Sequence, residues 1–182
     1  MERDTNNDTF VKFPYRREIR DDGEINNGGI NLIKEPHRIN EIHEVKDAPW
    51  FKLLLIEVNA ESGLFMTLGC AYGPLDEYFA GYLDFSFRPT VEPIRRIAIR
   101  DIDISFYDYL ADEETKHDIL DGSMVSYAQS CLSWSYSPLQ LEGREIYDKV
   151  SVWFHCQDES ACEWLVDHLR HFLVEAYPSL PQ

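Results

Sequence analysis

YFAGYLDFSF, residues 78–87, alternates with a period of two. Phe79, Leu83, Phe85 and Phe87 face one way, and Tyr78, Tyr82, Asp84 and Ser86 the other. Successive side chains of a strand point to opposite faces, so this run commits the chain to a sheet with one buried face. YDKVSVWFHC (147–156) repeats the pattern, with Val150, Val152, Phe154 and Cys156 opposite Ser151, Trp153 and His155. Such a sheet needs a cover, and the C-terminus supplies one. From about Glu159 to Ala176 the residues Ala161, Leu165, Leu169, Phe172 or Leu173, and Ala176 form one helical stripe. Ser160 and Glu163 fit a capping box at its start, and Pro178 ends it.

Other apolar runs extend the sheet. FKLLLIEV (51–58) is apolar on both faces, as in a covered central strand, and pairs as a hairpin with LFMTLGCAY (64–72). GPLD (73–76) is the next turn. RRIAIRDIDISFYDYL (95–110) reads as a strand whose phase changes, because Ile97 and Ile99 are odd while Ile102, Ile104 and Phe106 are even. A bulge or break near Arg100 or Asp101 accounts for that, as does burial of one part on both faces. Residues 111–121 form a short acidic helix or a loop, and SMVSYAQSCLSWSY (123–136) is a further strand. The expected fold is α+β: a mostly antiparallel sheet of about six or seven strands with the C-terminal amphipathic helix packed on it. A chain of 182 residues buries enough surface to need no disulfide or metal staple, and its length suits one domain.

Residues 1–48 differ in texture. They are rich in Asn, Gly and charge, with a turn signal at NNGG (26–29) and a short helical spacing of Ile39, Ile42 and Val45. They read as a polar N-terminal segment, loosely packed or partly mobile, ahead of a globular domain at 49–182.

The formal charge is −16, from 17 basic and 33 acidic residues. Nucleic acid and anionic lipid surfaces both require clustered Lys and Arg, so the balance opposes direct binding to either. It suits attraction to a basic protein partner. The first residues lack the apolar core of a signal peptide, and no apolar run approaches the ~20 residues of a membrane helix. The expected location is cytoplasmic, with Cys70, Cys131, Cys156 and Cys162 as reduced thiols.

Chemistry-bearing motifs are missing. There is no GxGxxG, Walker A, GxSxG or HExxH pattern, and His43-Glu44 lacks a second histidine at the right distance. His155, Cys156, Cys162 and His168 straddle a strand and a helix, without the close ligand pairs of a zinc site. The reading is therefore no metal, no cofactor and a non-catalytic role, with an enzyme of unknown class as the third possibility.

VSVWFHCQDESACEWLVDHL (150–169), a strand followed by a capped helix bearing a tryptophan, resembles the end of a pleckstrin-homology domain. That resemblance implies phosphoinositide binding through Lys and Arg near a first hairpin. Here the candidate hairpin at 51–68 carries only Lys52, so only an adaptor or scaffold role follows.

The acid is not spread evenly. Residues 100–121 hold eight acids against two bases, a net −6, whereas the first 99 residues together have 17 acids and 12 bases, a net −5. On a strand with Ile102, Ile104 and Phe106 inward, Asp101, Asp103, Tyr107 and Tyr109 point out. Asp108 has inward parity near the strand end, and Asp112, Glu113 and Glu114 extend the surface. Tyrosine gives contact area and a hydroxyl, and carboxylates steer and pair with basic groups. The competing explanation is a charged edge that discourages strand-to-strand aggregation. The functional expectation is an acidic binding protein that occludes a basic surface, most concretely an immunity protein or other inhibitor of a nucleic-acid-acting protein.

Overall fold

The computed structural model describes residues 1–5, 12–19, 25–26, 28–119, 121–141, 143 and 146–180. The fold is α+β, with one six-stranded, mostly antiparallel sheet. Its elements are β1 (Glu2–Arg3), β2 (Lys12–Phe13), β3 (Glu18–Ile19), β4 (Ile25–Asn26), α1 (Pro49–Val58), β5 (Phe65–Leu75) and β6 (Tyr78–Phe87). These are followed by α2 (Pro93–Arg96), α3 (Ile102–Lys116), α4 (Ser123–Cys131), β7 (Leu132–Leu141), β8 (Ile146–Cys156), α5 (Glu159–His171) and α6 (Tyr177–Ser179). The sheet order is β1-β7-β8-β6-β5, with β2 also on β7 and β3-β4 forming a separate pair. β1 and β2 run parallel to β7, and the other neighbours in the large sheet are antiparallel.

The two alternating runs are strands, as their period requires. Leu83 opposes Val152, and Phe85 opposes Val150, so both strands turn their apolar sets to one face. A Cβ on Gly81 would meet the Phe154 ring at 2.5 Å, so the two strands can pack there only around a glycine. α5 covers this face with Cys162, Leu165, Val166 and Leu169. Its cap differs from the expected Ser160–Glu163 box: Asp158 accepts the Ala161 amide at 2.9 Å. A π turn (Phe172–Ala176) carries the helix on into α6, with Pro178 inside this last turn instead of beyond it.

Three expected strands are helical instead. FKLLLIEV is α1, not half of a hairpin. Phe51, Leu54, Leu55 and Val58 are buried at helical spacing, while Leu53 and Ile56 are exposed. A short, wholly apolar run carries no period that distinguishes a buried strand from a helix, and Pro49 at the first turn favours the helix. The hairpin is formed by β5 and β6 and turns at Asp76–Glu77, so GPLD is mostly strand. The 95–110 strand is α2, a 3₁₀ turn (Ile97–Asp101) and the start of α3. Its phase change was a helical period: Ile99, Ile102, Phe106 and Leu110 are all fully buried. SMVSYAQSC is α4, and the strand begins only at Leu132.

Two polar anchors join the layers. Asn59 Nδ2 donates to Leu55 O and to Thr67 Oγ1, both at 2.7 Å, and its Oδ1 accepts the Thr67 amide, tying the end of α1 to β5. Arg88 is buried and donates to the carbonyls of Phe65, Glu61, Val58 and Ala60, satisfying a turn that would otherwise hold orphan acceptors. On the sheet's other face a smaller cluster of Phe13, Met66, Leu68, Leu139 and Leu141 is packed by Tyr15 and Ile33. The turn signal at 26–29 fits Gly28, whose φ is +78°, while Asn27 and other parts of 1–48 lie outside the described residues.

Candidate partner-binding surface

The acidic run folds onto a helix, so its residues are distributed around a cylinder and not along an edge. Glu114 is buried, and its Oε1 accepts the amides of Met124 at 2.6 Å and Val125 at 3.4 Å, capping α4 from a neighbouring helix. Asp103 Oδ2 lies 2.9 Å from the amine of Met1. Tyr107 Oη accepts from Trp134 Nε1 at 3.2 Å. These three side chains serve the fold. Asp101, Asp108 and Asp112 are exposed and have no hydrogen-bond or ion-pair partner among the described residues. Glu113 is half-buried, and Lys116 Nζ at 2.6 Å holds its carboxyl below the usual range.

Tyr109 connects α3 to the rest of the helical layer. Its Oη is 3.2 Å from His168 Nδ1 on α5. Burial, helped by the carboxylates of Glu113, Asp167 and Glu175, pushes its phenol up to about 12, so the hydroxyl stays protonated. The His168 ring meets Trp164 edge-on at 4.6 Å, and Trp164 meets Tyr127 of α4 at 5.7 Å. Tyr109, His168, Trp164 and Tyr127 thus form a ring-to-ring chain across α3, α5 and α4. Tyr127 is 39% exposed, and the other three are half-buried. Burial also lowers the His168 pKa from its ordinary value near 6.5, despite the opposing pull of Asp167 and Glu113, so the ring is neutral at pH 7. Glu163 and Asp167, one turn apart on α5, add exposed carboxylates beside Trp164.

Aromatic faces rimmed by carboxylates match guanidinium and ammonium groups, through cation–π contact and charge-assisted hydrogen bonds together. Of the residues singled out by sequence, the structure brings Tyr109 and Glu113 to this surface, where Glu113 acts on both Tyr109 and His168, while Asp108 and Asp112 are exposed on the same helix. Tyr127, Trp164, Asp167 and His168 were not read as partner-binding residues. Their signal was the spacing of Trp164 and His168, four apart on a recognised helix, but their neighbours become visible only once 102–116 is a helix too.

The four zinc candidates do not converge. His155 is exposed on the outer sheet face, while Cys156, one residue on, is buried on the helical side beside Cys162, where that contact and burial raise its thiol pKa. No group of three His, Cys, Asp or Glu placed to hold a metal occurs among the described residues. No helix among them is long and apolar enough to cross a membrane. No protein-family model matches the chain, and no curated protein or solved structure is significantly similar to it.

Proposed function

We propose that the protein is a non-catalytic acidic binding protein that occludes a basic surface of a macromolecular partner, most concretely a protein that itself acts on nucleic acid. The observation that carries this reading is the Tyr109–His168–Trp164–Tyr127 chain, with Glu163 next to Trp164 on α5 and Asp108 and Asp112 exposed on α3, none of these three acids having a hydrogen-bond or ion-pair partner among the described residues. In this mechanism the carboxylates take the place of phosphates against Arg and Lys, and the aromatic rings supply apolar anchorage. No bond is made or broken. The net charge of −16 accelerates encounter, and the half-buried rings slow dissociation.

The test is capture from the native cells with wild-type protein and with a D108N/D112N/E163Q variant, at low and moderate salt. The reading expects a basic partner retained by wild type at low salt and lost with the variant, whose thermal stability is unchanged. Equal retention by both would refute it. A second reading, an adaptor that adds a peptide strand to the sheet, has a place at β5, which pairs with β6 alone among the described strands. It expects binding indifferent to salt and to those three substitutions. The hairpin required by the pleckstrin-homology resemblance is absent at 51–68, since 49–58 is helical.

A further inference from the structure

Three of the eleven arginines in this acidic chain, Arg3, Arg96 and Arg100, line one cavity of about 490 Å³ together with Tyr136, Tyr147 and Asp148. The concentration runs against the composition. Three guanidiniums and one carboxylate line it, in a molecule whose net charge is −16.

The arginines are held in a particular way. The Arg96 guanidinium lies 4.8 Å over the Tyr147 ring, and that of Arg100 lies 5.0 Å over the Tyr136 ring. A cation–π contact positions each guanidinium without using its N–H donors. Arg96 makes no hydrogen bond or ion pair among the described residues, and its Nε is buried without an acceptor. A buried donor with no partner is costly, and an arginine without a carboxylate is conspicuous where acids outnumber bases 33 to 17. Arg100 donates through Nε to Asp148 Oδ2 at 2.7 Å, and its two terminal nitrogens have no acceptor among the described residues. Asp101 adds only a weaker pull on Arg100 from outside the lining. At the rim, Ile97 and Ile146 are 62% and 63% exposed, large apolar surfaces beside the charged floor.

We propose that this cavity binds a small organic phosphate, with its dianionic phosphoryl group between Arg96 and Arg100 near Arg3 and its organic group on Ile97 and Ile146. A phosphate monoester offers three oxygens to separate guanidinium edges, here those of Arg96 and Arg100, whereas one fork alone saturates a carboxylate. The volume suits a ligand of one or two rings. The site uses none of the residues of the proposed partner surface.

The experiment is isothermal titration of the full chain with phenyl phosphate, inorganic phosphate, sulfate and benzoate at one fixed ionic strength. Phenyl phosphate is expected to saturate a single site, at least about tenfold more tightly than benzoate, since a charge-assisted contact is worth that factor or more, and more tightly than sulfate or inorganic phosphate, which lack a ring to lie on Ile97 and Ile146. R96Q and R100Q are each expected to weaken it at least about tenfold. R38Q is expected to leave it unchanged, because Arg38 is spent on Glu35 and Glu41 elsewhere. R100Q, at a half-exposed side chain, carries the test should R96Q fail to fold. Absence of saturable binding, affinities unaffected by R96Q and R100Q, or equal affinity for benzoate would each overturn the proposal. Equal affinity for inorganic phosphate would overturn the assignment of an organic ester.

Discussion

Neighbouring acids in this chain do opposite work. Asp112 is exposed and has no hydrogen-bond or ion-pair partner among the described residues, whereas Glu114, two residues on, is buried and accepts two amides at the start of α4. E114A therefore removes the acceptor for those amides and is expected to cost about 2 kcal/mol, close to the upper range for a lost cap. That corresponds to a fall of about 4–8 °C in Tm for a domain of this size. D112A should stay within about 0.5 kcal/mol of wild type, and urea unfolding of the two variants checks the contrast. His168 supplies a pH dependence at the same scale. Its folded pKa is depressed by burial, so between the folded and unfolded values the unfolded chain binds more protons. Stability from this group is fully present above about pH 6.5 and is lost as pH falls through the unfolded value toward the folded one. Asp167 and Glu113 face the ring and oppose the shift, while His117 and His171 reinforce it. Unfolding free energies at pH 7.5 and 5.5 should differ less in H168N than in wild type, and an equal difference would contradict a half-buried, neutral His168.

At the scale of elements, what could be read from sequence depended on whether a run displays its period. Tyr78–Phe87 and Tyr147–Cys156 expose one face and bury the other, so their alternation is visible, and α5 shows a helical stripe for the same reason. FKLLLIEV hides its period because Leu53 and Ile56 are apolar although they face solvent. The 95–110 run hides its own because Ile97 and Ile104 are exposed and imitate alternation with Ile99 and Ile102. The candidate surface inherited that error: a strand reading places Asp101, Asp103, Tyr107 and Tyr109 together, whereas on α3 Asp103 and Tyr107 turn inward to Met1 and Trp134. Substitutions separate the two geometries. L53K and I56K are expected to change stability by no more than about 0.5 kcal/mol, while L54A, at a fully buried position, costs about 2–5 kcal/mol. Large losses from L53K would restore a strand buried on both faces.

The whole molecule combines a strongly negative field with two chemically different surfaces. On one, the α3–α4–α5 layer offers aromatic rings and exposed carboxylates. On the other, Arg3, Arg96 and Arg100 meet at the cavity formed by α2, β7 and β8. Neither was visible as a constellation in sequence, because each gathers residues from elements far apart in the chain. Net charge, its concentration at 100–121 and the tyrosines there carried the expectation of a basic partner, and charge sets encounter rates more than it sets contacts. The two contributions can be separated. W164A/Y127A removes anchorage but leaves the charge at −16, so it should raise the dissociation rate and barely change association. D108N/D112N/E163Q removes three negative charges and should act mainly on association.

The association rate constant of the captured partner, measured across ionic strength for wild type and D108N/D112N/E163Q, tests the central claim most directly. The account predicts fast association at low salt that falls steeply as salt rises, and a slower, flatter dependence for the variant. Identical salt dependence for the two proteins would show that α3 and α5 do not face the partner.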